Sequence, residues 1–308
     1  MVAYAVVRSL PTSFVERMAR QLSALPGAKS YSELISQLNK MYGLDSSVLE
    51  GFFKWFGYAI RGDFGYSWKF NQPVIEKFNS VIWYSVIINM FTFVLQAVIC
   101  IPLGILAARK QYSATDYTVT VVALMGISLP TFFLATLLKY FFSIKLGWFD
   151  LYGIVGRMHE QMTSWQQVLD IAHHMVLPVV TLMILSIGGL MRYTRTNMLE
   201  VLNADYIRTA RAKGLSEKVV INKHAFRNTL IPLISYASYL LPSMFSGSMI
   251  TETLFQVPGI GYISYQAITQ GDIPFTMFYI VFIEVLTQFS LIIADISYAV
   301  ADPRVRAN

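Results

Sequence analysis

Charged residues are scarce in this sequence. Only 14% of its 308 residues are Asp, Glu, Lys or Arg, whereas soluble domains carry about 25%; 55% are hydrophobic, and the mean hydropathy is +0.50. This imbalance excludes an ordinary soluble domain and predicts a chain embedded in a lipid bilayer. The formal net charge is +6, but the basic residues stand in separate loops between apolar runs. They form no continuous stripe, which argues against nucleic acid as a partner.

Cysteine and catalytic motifs are also scarce. Cys100 is the only cysteine, which excludes an intrachain disulfide and a cysteine-based metal site. The sequence has no Gly-Lys dipeptide and hence no phosphate-binding loop, and Gly259 and Gly261 lack the third glycine of a dinucleotide-binding turn. Side chains of adjacent His173 and His174 would diverge by about 100° on a helix, with no other Cys or His near in sequence. We therefore expect no metal site, no catalytic residue and no cofactor bound by this chain.

Long apolar runs, by contrast, recur through the chain. A bilayer core of about 30 Å requires about 20 apolar residues in a helix, because lipid offers the backbone no other hydrogen-bond partner. Five runs meet this requirement, at 78–108, 118–138, 175–191, 229–250 and 275–300. The sequence therefore predicts an all-α protein whose membrane domain, a polytopic helical bundle, occupies 78–302.

The loops between these runs differ sharply in positive charge, which is retained on the cytoplasmic side of membranes. The 251–274 loop has no Lys or Arg, and it carries Glu252 and Asp272. The 192–228 loop, in contrast, contains Arg192, Arg195, Arg208, Arg211, Lys213, Lys218, Lys223 and Arg227. We expect the 192–228 loop and the 303–308 tail to be cytoplasmic, and the 251–274 and 139–174 loops to be external.

Successive spans cross the membrane in alternating directions, so the residues before Phe78 are predicted to lie outside. Residues 11–77 are predicted to form an external segment of short helices. Residues 1–10 are too short to cross the membrane, so we interpret them as the tail of a truncated first transmembrane helix. One stripe of the external segment is apolar and contains Leu49, Phe52, Phe53, Phe56 and Ile60. The pattern fits a helix in the membrane interface and equally well a helix packed on the outer ends of the bundle.

The 192–228 loop is too long to be a simple turn. Asp205 can begin a helix there, and Gly214 can supply the positive φ that ends it before a second helix near Ser216. The result is a helix, a tight bend and a second helix projecting from the membrane. A solvated basic loop would explain the charge but not the small residues at the bend, so we favour a surface on which another protein docks.

Polar residues within the apolar runs are candidates for lining a transport pathway. Glu284 is the first candidate, because an ionised side chain at the centre of a membrane helix costs about 2.5–3.5 kcal/mol unless it faces protein or water. An interhelical hydrogen bond is an equally good explanation for it. Weaker candidates are Asn89, Gln96, Ser128, Thr131, Ser186 and Ser246, since such side chains also serve ordinary helix packing.

Four stretches together resemble the permease subunits of ATP-binding-cassette (ABC) importers, in particular the dipeptide and oligopeptide branch. They are the cytoplasmic stretch 205–232, Arg61-Gly-Asp-Phe-Gly-Tyr-Ser-Trp68, Glu252-Thr-Leu-Phe-Gln-Val-Pro-Gly-Ile-Gly261 and Asp295-Ile-Ser-Tyr-Ala-Val-Ala-Asp-Pro-Arg-Val-Arg306. The general loop motif begins Glu-Ala-Ala, where this chain has Arg208-Thr209-Ala210. The family usually has six helices, of which the first precedes an external segment.

The resemblance implies a type I importer fold and a set of partners in a prokaryotic cytoplasmic membrane. The cytoplasmic bend would be a coupling helix docking on an ATPase subunit, where ATP and Mg²⁺ would bind. The docking residues would be Arg208, Thr209, Ala210, Arg211, Ala212, Lys213, Gly214, Leu215, Ser216 and Glu217. A second homologous permease subunit and an external solute-binding protein would complete the importer. Peptides are the expected solute, and oligosaccharides, nickel or glutathione are the alternative solutes. The alternative function is a secondary transporter driven by an ion gradient.

Overall fold

The computed structural model describes residues 1–9 and 14–301, and this part of the chain is mostly helical. In chain order the α-helices are α1 Val2–Arg8, α2 Phe14–Ser23, α3 Tyr31–Met41, α4 Val48–Ala59, α5 Val74–Arg109, α6 Ala114–Ser128, α7 Thr131–Leu138, α8 Ser164–Leu202, α9 Asp205–Ala212, α10 Glu217–Val219, α11 Phe226–Tyr239, α12 Leu241–Ser246, α13 Met249–Phe255, α14 Ile260–Thr269 and α15 Ile273–Ala301. A short hairpin pairs β1 Tyr66–Ser67 antiparallel with β2 Gln72–Pro73. Turns of π-helix occupy Lys139–Lys145 and Val220–Ala225, and a 3-10 turn occupies His159–Gln161.

The long helices α5 and α8 pack along each other and form the centre of the bundle. Small residues permit the close approach. A Cβ atom on Gly104 of α5 would lie 2.7 Å from the Met191 carbonyl oxygen of α8, and one on Gly188 would lie 2.6 Å from the Ala123 carbonyl oxygen of α6. Close packing at small residues is the usual way in which membrane helices associate, because lipid provides no hydrophobic drive between them.

Three of the described helices are long and apolar enough to cross a membrane: α5, α8 and the Ile273–Ser297 part of α15. The second predicted run, 118–138, is not one straight helix. It breaks at Leu129 and Pro130, and α6 and the helical stretch Thr131–Lys145 meet there at 100°. Leu129 precedes Pro130, and a residue before a proline is disfavoured in the helical conformation. This accounts for the bend.

Two further predicted runs, 175–191 and 229–250, also have different boundaries in the structure. The 175–191 run lies inside the 39-residue helix α8, so the first part of the predicted 192–228 loop continues that helix. The 229–250 run is divided among α11, α12 and α13. Pro242 lies in the first turn of α12, where a proline fits, and Gly247 follows α12 with φ +75°. Pro232 lies within α11 without ending it.

The external segment packs as short helices beside the bundle. Ser30 and Ser47 cap α3 and α4 by accepting hydrogen bonds from the backbone N–H groups of Glu33 and Glu50. The apolar stripe of α4 is divided: Phe52 packs against Tyr4 of α1, with ring centroids 5.8 Å apart. Its other members are exposed, namely Leu49, Phe53, Phe56 and Ile60. Residues 1–9 include helix α1, which contacts both α4 and α15.

The two ends of α5 carry different structures. At its start, Val74 and Val81 pack with Ile260 and Phe275. At its end, Ala108 packs in a cluster with Met198, Ile207 and Val220. A helix of 36 residues spans about 54 Å at 1.5 Å per residue. The 252–275 region and the 205–225 region therefore lie at opposite ends of the bundle, as the predicted sidedness requires.

Candidate translocation and docking sites

One end of the bundle carries a helix, a bend and a second helix, which we call the docking element (residues 205–219). Helix α9 ends at Ala212, and Gly214 turns the chain with φ +75° before α10 begins at Glu217. The Arg211 Nε atom lies 2.7 Å from Glu217 Oε1, so an ion pair joins the two sides of the bend. The sequence therefore predicted the local geometry of this element correctly.

The docking element rests on the bundle through one buried face. Ile207 is fully buried and Ala210 is 6% exposed, and both pack in the cluster that contains Met198. Ala210 is one of the predicted docking residues, but its side chain lies on the inner face of α9, three residues after Ile207, and contacts the bundle. The other predicted docking residues are exposed, namely Arg208, Thr209, Arg211, Ala212, Lys213, Gly214, Leu215, Ser216 and Glu217.

Two exposed apolar side chains of the docking element are not among the predicted docking residues. Tyr206 is 48% exposed and Val219 is 37% exposed, beside Leu215 at 39%. Leu215 precedes α10 and Val219 is its last residue, so no single helical pattern in the sequence joins the two. An exposed apolar centre with charged residues around it is typical of a protein interface.

A cavity of about 380 Å³ opens within the bundle, between α5, α8 and the α11–α12 region. We call it the bundle cavity. Three of the predicted pathway residues, Asn89, Gln96 and Ser186, line it. The Gln96 Nε2 atom donates to the Ser186 carbonyl oxygen at 3.0 Å. The Oδ1 atom of Asn89 accepts from the hydroxyl of Ser248 at 3.0 Å. The cavity wall also contains the polar side chains of Thr92, Tyr236 and Ser243, which are not among the predicted pathway residues.

The other four pathway candidates do not line the bundle cavity. Glu284 is exposed on α15, in a separate apolar groove formed with α1 and α4. Ser128 is also exposed and donates to the Leu124 carbonyl oxygen of its own helix at 2.8 Å. Thr131 begins α7 just after the break, and Ser246 donates to the Ser243 carbonyl oxygen at 3.3 Å.

Replacing Gln96 by leucine tests the wall of the bundle cavity. The leucine has a similar reach but cannot hydrogen-bond a solute, and it leaves the Ser186 carbonyl oxygen without this partner. We expect transport to fall severalfold while the amount of chain in the membrane stays unchanged, measured as uptake per unit of protein. Ser128→Ala is the matched control, because Ser128 lies outside the cavity; equal uptake by the two variants would contradict the prediction.

At the opposite end of the bundle, the carboxylate of Glu252 is fully buried in a cage of donors. It accepts hydrogen bonds from the Ser85 hydroxyl at 2.7 Å, the Ser248 N–H at 2.9 Å and the Tyr262 N–H at 3.0 Å. Burial raises the pKa of Glu252 above that of an ordinary glutamate, and these hydrogen bonds oppose the effect only in part. Gly259 is required beside it, since a Cβ there would lie 2.5 Å from Glu252 Oε2.

A second buried carboxylate, Asp272, joins another of the sequence motifs to this end. Asp272 accepts a short hydrogen bond from the Ser67 hydroxyl and one of 3.1 Å from the Lys69 N–H. It also accepts from the Phe275 N–H at 3.2 Å, at the start of α15. Burial raises the pKa of Asp272. The 61–68 and 252–261 motifs therefore hold this end of the bundle together.

A bidentate ion pair fastens the start of α6 to α8. Arg195 Nε and its terminal Nη2 each lie 2.7 Å from one carboxylate oxygen of Asp116. Asp116 is only 3% exposed and also accepts from the Tyr112 N–H at 3.0 Å. Arg195 belongs to the predicted cytoplasmic loop 192–228, but its charge is largely neutralised by this contact within the chain.

The sequence offers no third ligand beside the adjacent histidines, but the structure brings one close to them. His173 and His174 both approach Asp150, and one ligand atom from each of the three residues lies within 4.8 Å of the others. Asp150 stands 23 positions before His173 in the sequence, in a different element, so no local pattern could have joined them.

Residues 100–307 match the family described as "Binding-protein-dependent transport system inner membrane component". The chain is 37% identical over 270 residues to the oligopeptide transport system permease protein AppB of Bacillus subtilis, covering 87% of this chain and 84% of that protein. It is 33% identical over 282 residues to a putative peptide transport system permease protein of Brucella abortus, covering 92% and 88%.

Among solved structures, the fold is similar to a chain from inward-facing conformations of the MetNI methionine ABC transporter. The TM-score is 0.58 at 16% sequence identity, and the match covers 74% of this chain and 97% of that chain. At this level of identity the likeness concerns the fold alone, and it agrees with a helical membrane bundle of the ABC importer kind.

Proposed function

Because this chain belongs to the binding-protein-dependent transport system inner membrane components, we propose that it forms half of the membrane pathway of an ATP-driven peptide importer. Peptides are proposed as the solute because the relatives described above are named as oligopeptide and peptide permeases. The expected partners are a second, homologous permease subunit, one or two P-loop ATPase subunits and an external solute-binding protein, in the cytoplasmic membrane of a prokaryote.

The exposed docking element is the observation that carries this proposal. It is held rigidly, since Ile207 and Val220 are fully buried beneath it, while Leu215 and Val219 remain exposed at its tip. A partner that moves on this surface would move α8 and α11 with it. The element follows α8 after two residues and leads into α11 through the π-helical turn Val220–Ala225. ATP binding and hydrolysis would then take place on the partner and be transmitted to the bundle as motion of whole helices.

The bundle cavity supports the transport half of the proposal. Its wall mixes amide and hydroxyl groups with apolar surface, which suits a peptide because backbone amides and varied side chains need both. In this proposal the charge of Glu252 and Asp272 is not available to the solute, since both carboxylates are buried and hydrogen-bonded. The end that carries them would receive the solute-binding protein.

The rival function is a secondary transporter driven by an ion gradient. The breaks between α6 and α7 and within the 229–250 run favour it to some degree, because such transporters use broken helices at their binding sites. The docking element would have no purpose in that case. Purification of the chain after co-expression with the neighbouring genes separates the two: recovery of an ATPase and a second permease supports the importer. Transport by the chain alone under an ion gradient, without ATP, would overturn it.

Replacing Gly214 by tryptophan tests the docking element directly. Position 214 has φ +75°, and no atom of the described residues lies within 4 Å of a Cβ placed there. The change should therefore strain the bend by about 1–2 kcal/mol and place an indole on the docking surface without disturbing the bundle. We expect ATP-driven peptide uptake by the assembled importer to fall at least tenfold while the chain remains in the membrane.

Gly27→Trp is the matched control. Gly27 has φ +77° and equally open surroundings, but it lies in the external segment, so it carries the same backbone strain without touching the docking element. Uptake by the Gly27 variant should stay near the level of the unmodified chain. Normal uptake by the Gly214 variant would contradict the assigned docking role.

A further inference from the structure

Three potential metal ligands meet where the 146–163 stretch packs on the first turns of α8. Asp150 belongs to that stretch, and His173 and His174 belong to α8. The ring of His173 stacks on Phe149, with centroids 4.8 Å apart, and Asp150 follows Phe149 in the chain. One ligand atom of Asp150 and one of each histidine lie within 4.8 Å of one another. The side chain of His174 is only 3% exposed, whereas that of Asp150 is 60% exposed.

The hydrogen bonds of His174 fix which of its nitrogens carries a proton. Its Nδ1 atom lies 2.8 Å from the Asp170 carbonyl oxygen and 3.3 Å from Asp170 Oδ1. Both neighbours are acceptors, so Nδ1 donates. In a neutral imidazole Nε2 is then an acceptor, yet it faces Asp150 Oδ2 at 3.2 Å. Two acceptors at this distance need a cation between them, either a second proton or a metal ion.

Several observations favour a metal ion over a proton. A proton would join only His174 and Asp150, whereas a metal ion would also use the ring nitrogen of His173, which lies within 4.8 Å of the other two ligand atoms. Tetrahedral zinc, with bonds of about 2.0–2.1 Å, separates its ligand atoms by about 3.4 Å, close to the 3.2 Å between His174 and Asp150. All three ligand atoms lie within 4.8 Å of one another, and the side chains of Asp150 and His173 are exposed, so both are free to rotate toward an ion.

The surroundings of His174 also match those of a metal ligand. A metal-binding histidine usually donates its other ring N–H to a carbonyl or carboxylate, which orients the ring, and Asp170 offers both groups. Asp170 is itself fixed, because its Oδ2 atom accepts from the Gly156 N–H at 2.9 Å and lies 2.7 Å from His159 Nδ1. The exposed side of Asp150 leaves a fourth position open to water.

We propose that Asp150, His173 and His174 bind one divalent transition-metal ion of the zinc class. The ion would fasten the 149–150 segment to α8 at the end of the bundle opposite the docking element. This site is independent of the solute and of the ATPase, and it can be tested on the chain alone.

The test is a titration of the full chain in detergent, purified through a tag without histidine and stripped with a chelator. Zn²⁺ binding is followed by calorimetry, and Co²⁺ binding by its visible ligand-field spectrum. We expect one ion per chain. Asp150→Asn and His173→Gln should each weaken binding at least tenfold, and both residues are exposed, so neither change threatens the fold.

His224→Gln is the control, since His224 lies at the opposite end of the bundle, in the π-helical turn Val220–Ala225. This variant should bind the ion as the unmodified chain does. Absence of Zn²⁺ and Co²⁺ binding to the unmodified chain would leave only a proton between His174 and Asp150 and overturn the proposal. Equal affinity in the Asp150 and His224 variants would overturn it as well, because the ion would then bind elsewhere.

Discussion

Replacing Glu252 by alanine is expected to prevent the chain from accumulating in folded form. The change leaves three donors, the Ser85 hydroxyl and the N–H groups of Ser248 and Tyr262, without their acceptor. Each unsatisfied buried group costs about 1–3 kcal/mol, so the total is a large part of a typical stability of about 5–15 kcal/mol. The amount of monodisperse chain extracted in detergent and its thermal unfolding midpoint measure the effect.

Glu284→Ala is the matched control for this prediction. It makes the same chemical change at a glutamate that is exposed on α15, where no buried donor in the described part of the chain depends on the carboxylate. The Glu284 variant should unfold near the temperature of the unmodified chain. If the two alanine variants unfold at the same temperature, the Glu252 cage does not stabilise the fold.

The pH dependence of stability gives an independent measure of Glu252. Its pKa is raised by burial in the folded chain and is about 4.3 when a glutamate is unfolded, so the folded state binds the proton more tightly. The stability gained from this proton is fully present below about pH 4.3 and is lost as the pH rises through the folded pKa. Asp272 contributes in the same direction. The difference between the unmodified chain and Glu252→Gln isolates the part due to Glu252.

The motif that contains Glu252 was visible in the sequence, but its role was not. The 252–261 run resembles a stretch of the peptide permeases and so points to the family. It does not show that the carboxylate reaches Ser85, which lies 167 positions earlier in the chain. The same holds for Asp272 and Ser67, which are 205 positions apart. Pairings over such distances depend on the packing of whole helices and cannot be deduced from local spacing.

Membrane helices could be predicted where an apolar run forms one continuous helix. The 78–108 run lies within α5, because a long apolar segment has no other way to satisfy its backbone in lipid. Hydropathy measures the polarity of a segment and carries no information on the direction of its helix axis. The bend at Pro130 and the breaks at Leu240 and Gly247 therefore could not be predicted from it. Prolines marked both regions in the sequence, yet Pro232 shows that a proline can also remain inside a helix.

The candidate sites divide in the same way. The docking element depends on local chemistry, a helix start at Asp205 and a positive φ at Gly214, and its form was predicted from the sequence. The bundle cavity is built from helices far apart in sequence, and only Asn89, Gln96 and Ser186 of the predicted residues line it. A polar residue in an apolar run can face a neighbouring helix, its own backbone or a cavity, and the sequence alone does not distinguish among them.

Replacing Asp116 by alanine should also destabilise the chain strongly. Arg195 would lose both hydrogen bonds to the carboxylate and keep its charge, with only 24% of its side chain exposed. An uncompensated buried charge costs about 3–5 kcal/mol, and the partial exposure of Arg195 places the expected loss near the lower value, about 3 kcal/mol. A lower thermal unfolding midpoint and weaker protection of the 112–118 backbone from hydrogen exchange would measure it.

A second substitution separates the cost of the stranded charge from the value of the pair itself. Combining Asp116→Ala with Arg195→Met removes both charges, and methionine fills much of the space of the arginine stem. Since an apolar replacement of a buried ion pair is often neutral, the double variant should recover most of the stability lost by Asp116→Ala. Its transport activity then shows whether α6 and α8 must be joined by this pair for motion at the docking element to reach the bundle cavity. A double variant less stable than Asp116→Ala would contradict the explanation, because the loss would then come from packing at Arg195 and not from its charge.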